Sequence, residues 1–383
     1  MKKQVSKRKQ PSQKPMDGTF FLLVIIALSF GLIMLLSASA PTANTKFGNS
    51  YHFFIRQFGF GMAGFLIMLA VSKIDYHIYK KYTKIMMIAI EILLLLVLIP
   101  GIGIDHNGAR RWLKTGFEWQ PSEFMKPVIA MFFAAMIETK KTDFRLNRKL
   151  APYVRDVFPY MLWIGVTALL LMMETHLSGT IIIVGIACTL IIVSGFPVYI
   201  FAGAGVVLFP IAFKLLQHDP VRWRRVMNFR NPFADMQDAG YQVVQGLYAI
   251  STGGLFGLGL GQSVQKYTYL PEPYNDFIFA IVCEELGLIG GMLVMILFAG
   301  LVIRGIKIAT EAPDTFGCLT VVGIMAQVGI QAILNIAVAT SSIPNTGVAL
   351  PFFSYGGTAL MALLAEMGIV LNVSRQSRKQ EQI

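Results

Sequence analysis

Charge is the first thing this chain lacks: Asp, Glu, Lys and Arg make up 14% of its 383 residues, against 55% hydrophobic residues. With a mean hydropathy of +0.61, that balance excludes a water-soluble domain and a disordered chain alike, and points to an integral membrane protein. Histidine is scarcer still: five residues, scattered without ligand spacing, exclude a zinc set. The three cysteines, Cys188, Cys283 and Cys318, lie inside apolar runs, so they read as small core residues rather than a disulfide framework or metal cluster. The first apolar run is long enough to span and lacks a small-residue cleavage site, so no cleavable leader is expected. There is no soluble domain and no fixed-period repeat.

Present instead are apolar runs of membrane length. Helices are expected at 18–38, 54–72, 85–100, 122–138, 157–173, 179–195, 197–216, 277–303, 315–340 and 350–372, each near the ~20 residues a bilayer requires. Gly195-Phe196-Pro197 separates the sixth from the seventh, because proline cannot continue a helical ladder. The expected fold class is all-α: a polytopic membrane protein of about ten transmembrane helices, with a long extracytoplasmic loop between helices seven and eight. A basic tail (1–17) precedes the membrane domain (18–373), and a short tail (374–383) follows it.

Twenty-one of the 33 Lys and Arg residues fall on one side of this layout, which the positive-inside rule assigns to the cytoplasm along with both termini. Such loops beside anionic lipid explain most of the +12 net charge, so membrane lipids are the expected partners and nucleic acid is not. Lys126 lies within an apolar run, and eleven residues remain at or beyond the opposite face. Most belong to Arg110-Arg111-x-x-Lys114 or to Arg222-x-Arg224-Arg225 with Arg230, which suggests an outward site for an anionic ligand. For the second cluster the alternative is simple attraction to lipid headgroups.

The segment 217–276 is longer than a structureless loop usually is without a function. Its Gly240–Ile250 stretch has helical periodicity with one apolar face, as expected of a short helix lying at the membrane surface. Lys266, on the same segment, is a further candidate for substrate contact. The glycines of Gly253–Gly261 are not a nucleotide loop, since no strand precedes them and no Gly-Lys-Ser/Thr follows; a turn or re-entrant backbone is expected.

Carboxylates at membrane level are informative because they are few. Asp276, at the junction of the long segment and the eighth span, is either the N-cap of that helix or a general base in half-apolar surroundings. Glu123 and Lys126, three apart, share a helix face; they are either a structural ion pair or cavity groups, with Lys126 holding a phosphate. Ser122 is expected to cap their helix, just after Gln120 and Pro121. Glu284 would share the face of Asp276, and inter-helix hydrogen bonds are expected of Glu284, Glu285, Glu91, Glu174 and Glu366. His176, at a helix end, reads as a surface or packing residue.

Several strings together resemble one family, the SEDS (shape, elongation, division and sporulation) proteins. They are Asn107-Gly108-Ala109-Arg110-Arg111-Trp112, Gln120-Pro121-Ser122-Glu123 with Lys126, Gly240-Tyr241-Gln242, Leu270-Pro271-Glu272 with Asp276-Phe277-Ile278-Phe279, Glu284-Glu285-Leu286-Gly287, and Pro344 to Gly357 with Ser354 and Tyr355. The first string looks more like the FtsW/SpoVE branch than the RodA branch. The resemblance implies a peptidoglycan glycosyltransferase of the bacterial cytoplasmic membrane, polymerising lipid II at the outer face in division or sporulation. It places the family's essential carboxylate on Asp276 and its central-cavity Glu and Lys on Glu123 and Lys126. Candidate substrate contacts are these two with Arg110, Arg111, Arg222, Arg224, Arg225 and Lys266; Trp112, Gln120, Ser122, Gln242, Glu284, Glu285, Ser354 and Tyr355 would shape the cavity. A class B penicillin-binding protein is the implied partner. No cofactor is certain, although Mg2+ or Mn2+ would suit a pyrophosphate leaving group. Relatives often carry Pro-Asp-Leu-Gly where this chain has Thr175-His176-Leu177-Ser178-Gly179, so no role follows there. The competing readings are a lipid II flippase and a non-catalytic scaffold for a transpeptidase.

Overall fold

The computed structural model describes residues 15–106, 109–114, 118–140, 150–199, 231–234, 240–267 and 269–377, with isolated positions between 200 and 230. The expected seventh span, 197–216, falls almost wholly outside the described residues, as do Arg222, Arg224, Arg225 and Arg230.

Among the described residues the chain is helical nearly throughout. The helices are α1 (Gly18–Phe47), α2 (His52–Val71), α3 (His77–Leu98), α4 (Pro121–Lys140), α5 (Leu150–Met173), α6 (Leu177–Val193), α7 (Tyr241–Gly253), α8 (Ile278–Thr310), α9 (Thr315–Ala339) and α10 (Gly357–Arg375). Six of them, α1, α2, α5, α8, α9 and α10, are long and apolar enough to cross a membrane. The protein is thus a polytopic all-α membrane protein, and α7 is the short amphipathic helix expected within the long segment.

Boundaries shift where side chains outvote hydropathy. α1 starts where Asp17 accepts a hydrogen bond from the Phe20 amide at 2.8 Å. It runs to Phe47, beyond the expected 38, and stops at Gly48 in the left-handed conformation. α3 begins at His77, eight residues early, because Lys80, Lys81 and Lys84 fit a membrane helix end when their long stems let the charges reach water. α10 begins at Gly357, not 350, because Phe352 has φ +66 and the stretch before Gly357 folds as turns. Ser122 is not a cap: α4 opens on Pro121, whose missing N–H costs nothing at that position, and Ser122 lies in the first turn. A short antiparallel sheet, β1 (Gly103–His106), β2 (Ala109–Lys114) and β3 (Glu118–Trp119), also sits between α3 and α4.

Two close approaches fix the bundle. α2 lies along α10, with Gly64 so near that a Cβ there would come 3.1 Å from the Met361 Cα and 2.8 Å from a Leu364 methyl carbon. α8 breaks at Gly287, whose φ of +68 is costly for other residues. The freed main chain is satisfied by the glycine-rich segment after α7. Leu258 and Gly259 donate to the carbonyls of Glu284 and Glu285 at 3.0 and 2.9 Å, and Leu288 donates to the Gly254 carbonyl at 2.9 Å. The expected re-entrant backbone is a graft onto a broken helix.

That graft is locked by charge. Lys266 and Glu285 are both buried and meet at 2.7 Å, with Ser37 of α1 donating to the same carboxylate at 2.7 Å. Glu284 accepts from the Val264 amide at 2.9 Å and from the Ser263 hydroxyl at 2.5 Å. Glu285 thus makes the expected inter-helix hydrogen bond, whereas Glu284 holds the loop. Neither lines the cavity described below, and Asp276 precedes α8, so Glu284 does not share a helix face with it. Glu91 also bridges helices, accepting from Thr167 of α5 at 2.5 Å. Glu174 does not: it is buried and neither of its carboxylate oxygens has a hydrogen-bond partner. Glu366 is buried on α10 and faces the Gln327 side chain of α9.

Candidate active site

A cavity of about 930 Å³ opens at the end of the bundle that carries the small sheet. Its walls come from distant stretches of chain: the start of α2, the sheet, α4, the α5–α6 turn, the segment before α8, and residues 347–363. α9 and α10 supply the inner wall, with Gln327, Gln331 and Glu366.

Asp276 lies on this wall, half-buried. It is not the cap of α8, whose N-cap is Phe277 with no side-chain cap hydrogen bond. Its position is set from several directions. Asn335, fully buried on α9, donates through its amide nitrogen to the Asp276 carbonyl and to the Val348 carbonyl, both at 2.7 Å. Ser354 accepts from the Leu350 amide at 2.7 Å and donates to the Asn275 carbonyl at 2.6 Å. Tyr355 donates its amide to the Tyr274 carbonyl at 2.9 Å, while its ring packs edge-on against Phe53. Gln242 of α7 reaches the carboxylate, with its amide nitrogen 3.4 Å from Oδ1, and its own oxygen accepts from Asn345 at 3.1 Å. The Pro344–Gly357 motif therefore works as a brace for residues 274–276.

Three cations share the cavity. Lys126 is buried and donates to both Glu123 oxygens at 2.8 and 2.7 Å, so the expected ion pair is present and it faces the cavity. Arg111 lines it by virtue of a β-bulge. Ile104 pairs with Trp112 and Asp105 with Arg110, leaving Arg111 as the extra residue, and a bulge re-aims its side chain. Its guanidinium donates to the Thr175 carbonyl at 2.6 Å. Arg56, exposed near the start of α2, is the third.

The other sequence-derived candidates divide. Trp112, Gln120, Ser354 and Tyr355 line the cavity; Ser122 lies beside it against His176, and Gln242 touches Asp276. Arg110 does not line it and sits 3.7 Å from Asp105 across the sheet. Lys266, taken as a substrate contact, is instead neutralised in the buried pair with Glu285. His176 is buried on the cavity wall, not at the surface; burial first, then Arg111 and Lys126, hold its basicity well below the usual range. Sequence reasoning gave no role to Arg56, Asn335 or Gln327. Arg56 had a signal, as a cation on the face that should have few; Asn335 and Gln327 had only their polarity within an apolar helix.

Fold and cavity together define a class: a polytopic membrane protein with one carboxylate braced opposite several cations at one end of its bundle. Residues 18–379 match the family described as "Cell cycle protein", which groups FtsW, RodA and SpoVE. The chain is 42% identical over 366 residues to Stage V sporulation protein E of Bacillus subtilis, covering 94% of this chain and 98% of that protein. It is 37% identical over 363 residues to a probable peptidoglycan glycosyltransferase FtsW of Geobacter sp. strain M18, covering 94% and 97%. A chain from a structure on coordination of polymerization and crosslinking by a peptidoglycan synthase complex superposes with a TM-score of 0.77 at 26% identity, covering 94% and 98%. The Thermus thermophilus RodA crystal structure shares the fold, with a TM-score of 0.70 at 24% identity, covering 95% and 98%. This chain belongs to the FtsW/RodA/SpoVE family, the SEDS proteins.

Proposed function

We propose that this protein is a peptidoglycan glycosyltransferase that polymerises lipid II at the outer face of the bacterial cytoplasmic membrane, in division or sporulation. One observation carries the reading. A braced carboxylate, Asp276, and three basic side chains, Arg56, Arg111 and Lys126, line one cavity at the membrane end that charge counting assigns to the outside. Both termini then lie in the cytoplasm.

The chemistry divides along that cavity. Asp276 takes the proton of the acceptor sugar hydroxyl, and that oxygen attacks the anomeric carbon of the lipid-linked glycan. The bond from that carbon to the pyrophosphate oxygen breaks, its electron pair leaves with the lipid pyrophosphate, and the anomeric configuration inverts. Arg111, Lys126 and Arg56 neutralise the charge that builds on the leaving group. The donor is already activated, so no nucleotide is required. Among the described residues no three His, Cys, Asp or Glu side chains converge to hold Mg2+ or Mn2+, and no step here passes through a metal. Cross-linking of the polymer is a separate reaction, and a class B penicillin-binding protein is the proposed partner. The likeness to a chain of a peptidoglycan synthase complex supports that choice.

The test is conversion of purified lipid II by the protein with its partner. Glycan strands are expected. Movement of lipid II across vesicles with no polymer would favour a flippase, and activity from the partner alone would favour a scaffold.

A further inference from the structure

The imidazole of His176 is held as if to offer one hydrogen to the cavity. Its Nδ1 faces two groups at 3.3 Å, the Gln120 amide nitrogen and the Ser122 hydroxyl. An amide nitrogen only donates, so Nδ1 accepts and the ring proton sits on Nε2. The Nδ1 edge of the ring occupies space that only a glycine at 179 leaves open, since a Cβ there would lie 2.6 Å from Nδ1. Arg111 fixes the turn itself by donating to the carbonyl of Thr175, whose φ is +57. The residue lines the cavity, and its anchors occupy Nδ1, which leaves Nε2–H as the donor it can offer there. Burial and the nearby Arg111 and Lys126 keep the ring neutral, so it remains a one-proton donor rather than a third cation there.

We propose that His176 Nε2–H donates a hydrogen bond to a pyrophosphate oxygen of the lipid-linked substrate, completing an anion subsite with Arg111 and Lys126. The proposal rests on the glycosyltransferase reading for the identity of the substrate. A neutral donor near two cations adds directionality: it selects an acceptor oxygen without adding a charge that the leaving lipid would have to shed. A hydrogen bond to a charged acceptor contributes about 1.5–3 kcal/mol, which corresponds to roughly 10- to 150-fold in binding.

Two amide variants separate this role from packing. His176→Gln places an N–H near the Nε2 position, whereas His176→Asn places one near Nδ1, where it meets Gln120 and Ser122 and cannot reach the cavity. Binding of inorganic pyrophosphate to the full-length protein, read by calorimetry, should weaken about tenfold or more in Asn and stay within about threefold of wild type in Gln. The KM for lipid II should follow the same order, and the unliganded melting temperatures of both variants should match. Equal pyrophosphate binding by Asn and wild type would overturn the proposal, as would equal loss in Asn and Gln. Because pyrophosphate binding needs no turnover, a wild type that binds it in this order but makes no polymer would count against the glycosyltransferase reading alone.

Discussion

The side-chain amide of Asn335 donates to the main-chain carbonyl of Asp276 at 2.7 Å, and to that of Val348 at the same distance. One buried residue near the end of α9 thus ties the base-bearing segment to the brace beside it. Asn335→Leu leaves both carbonyls without their donor at about 1–3 kcal/mol each. It should lower the melting temperature and cut polymerisation by about a hundredfold, since displacement by an ångström costs about that much. Activity near wild type would mean that the brace does not position the base.

The buried pair of Lys266 and Glu285 makes a second prediction. Lys266→Met strands the Glu285 carboxylate in an apolar site and should cost about 3–5 kcal/mol. Lys266→Met with Glu285→Met should recover most of that loss, because two well-packed apolar residues replace a pair that had to be desolvated. Chemical denaturation of the two variants in detergent checks the order.

Gly287 is where α8 breaks, with φ +68 and no room for a side chain: a Cβ would lie 2.4 Å from the Gly257 nitrogen. Gly287→Ala therefore combines left-handed strain with a main-chain clash and should cost at least about 2 kcal/mol. A melting temperature unchanged from wild type would show that the break is not required.

Glu174, just past the end of α5, has its carboxyl pushed up to about 8 by burial, partly opposed by Arg111. Its folded pKa is above its unfolded value of 4.5, so its contribution to stability is fully present below pH 4.5 and is lost as pH rises to about 8. Glu174→Gln should flatten this part of the profile, gaining most in melting temperature at pH 8 and least near pH 5. A constant difference across that range would contradict the assignment.

Much of this was legible in the sequence. Hydropathy located the six helices that are long and apolar enough to cross a membrane, and the positions of Lys and Arg suggested which end holds the site. Six short motifs brought Asp276, Glu123 and Lys126 forward before any geometry. Pairings were less legible, because periodicity tells which face a residue occupies and not what it meets. Arg110 and Arg111 are adjacent and alike in sequence, and only a bulge in strands too short to show an alternating pattern sends one of them to the cavity. Lys266 looked like a free cation because its partner, Glu285, lies 19 residues on, inside the apolar run of α8. His176 looked like a helix-end residue, since nothing in Thr175–Gly179 shows that α4 packs against it.

The most direct test of the account is polymerisation of purified lipid II by wild type, Asp276→Asn and Asp276→Ala, each with the transpeptidase partner. Asn retains the shape and the hydrogen bond to Gln242 but is a far weaker base. Both variants should fold, retain pyrophosphate binding and lose glycan synthesis by at least about a hundredfold. Full-length glycan strands from both variants at the wild-type rate would contradict the assignment of Asp276 as the base.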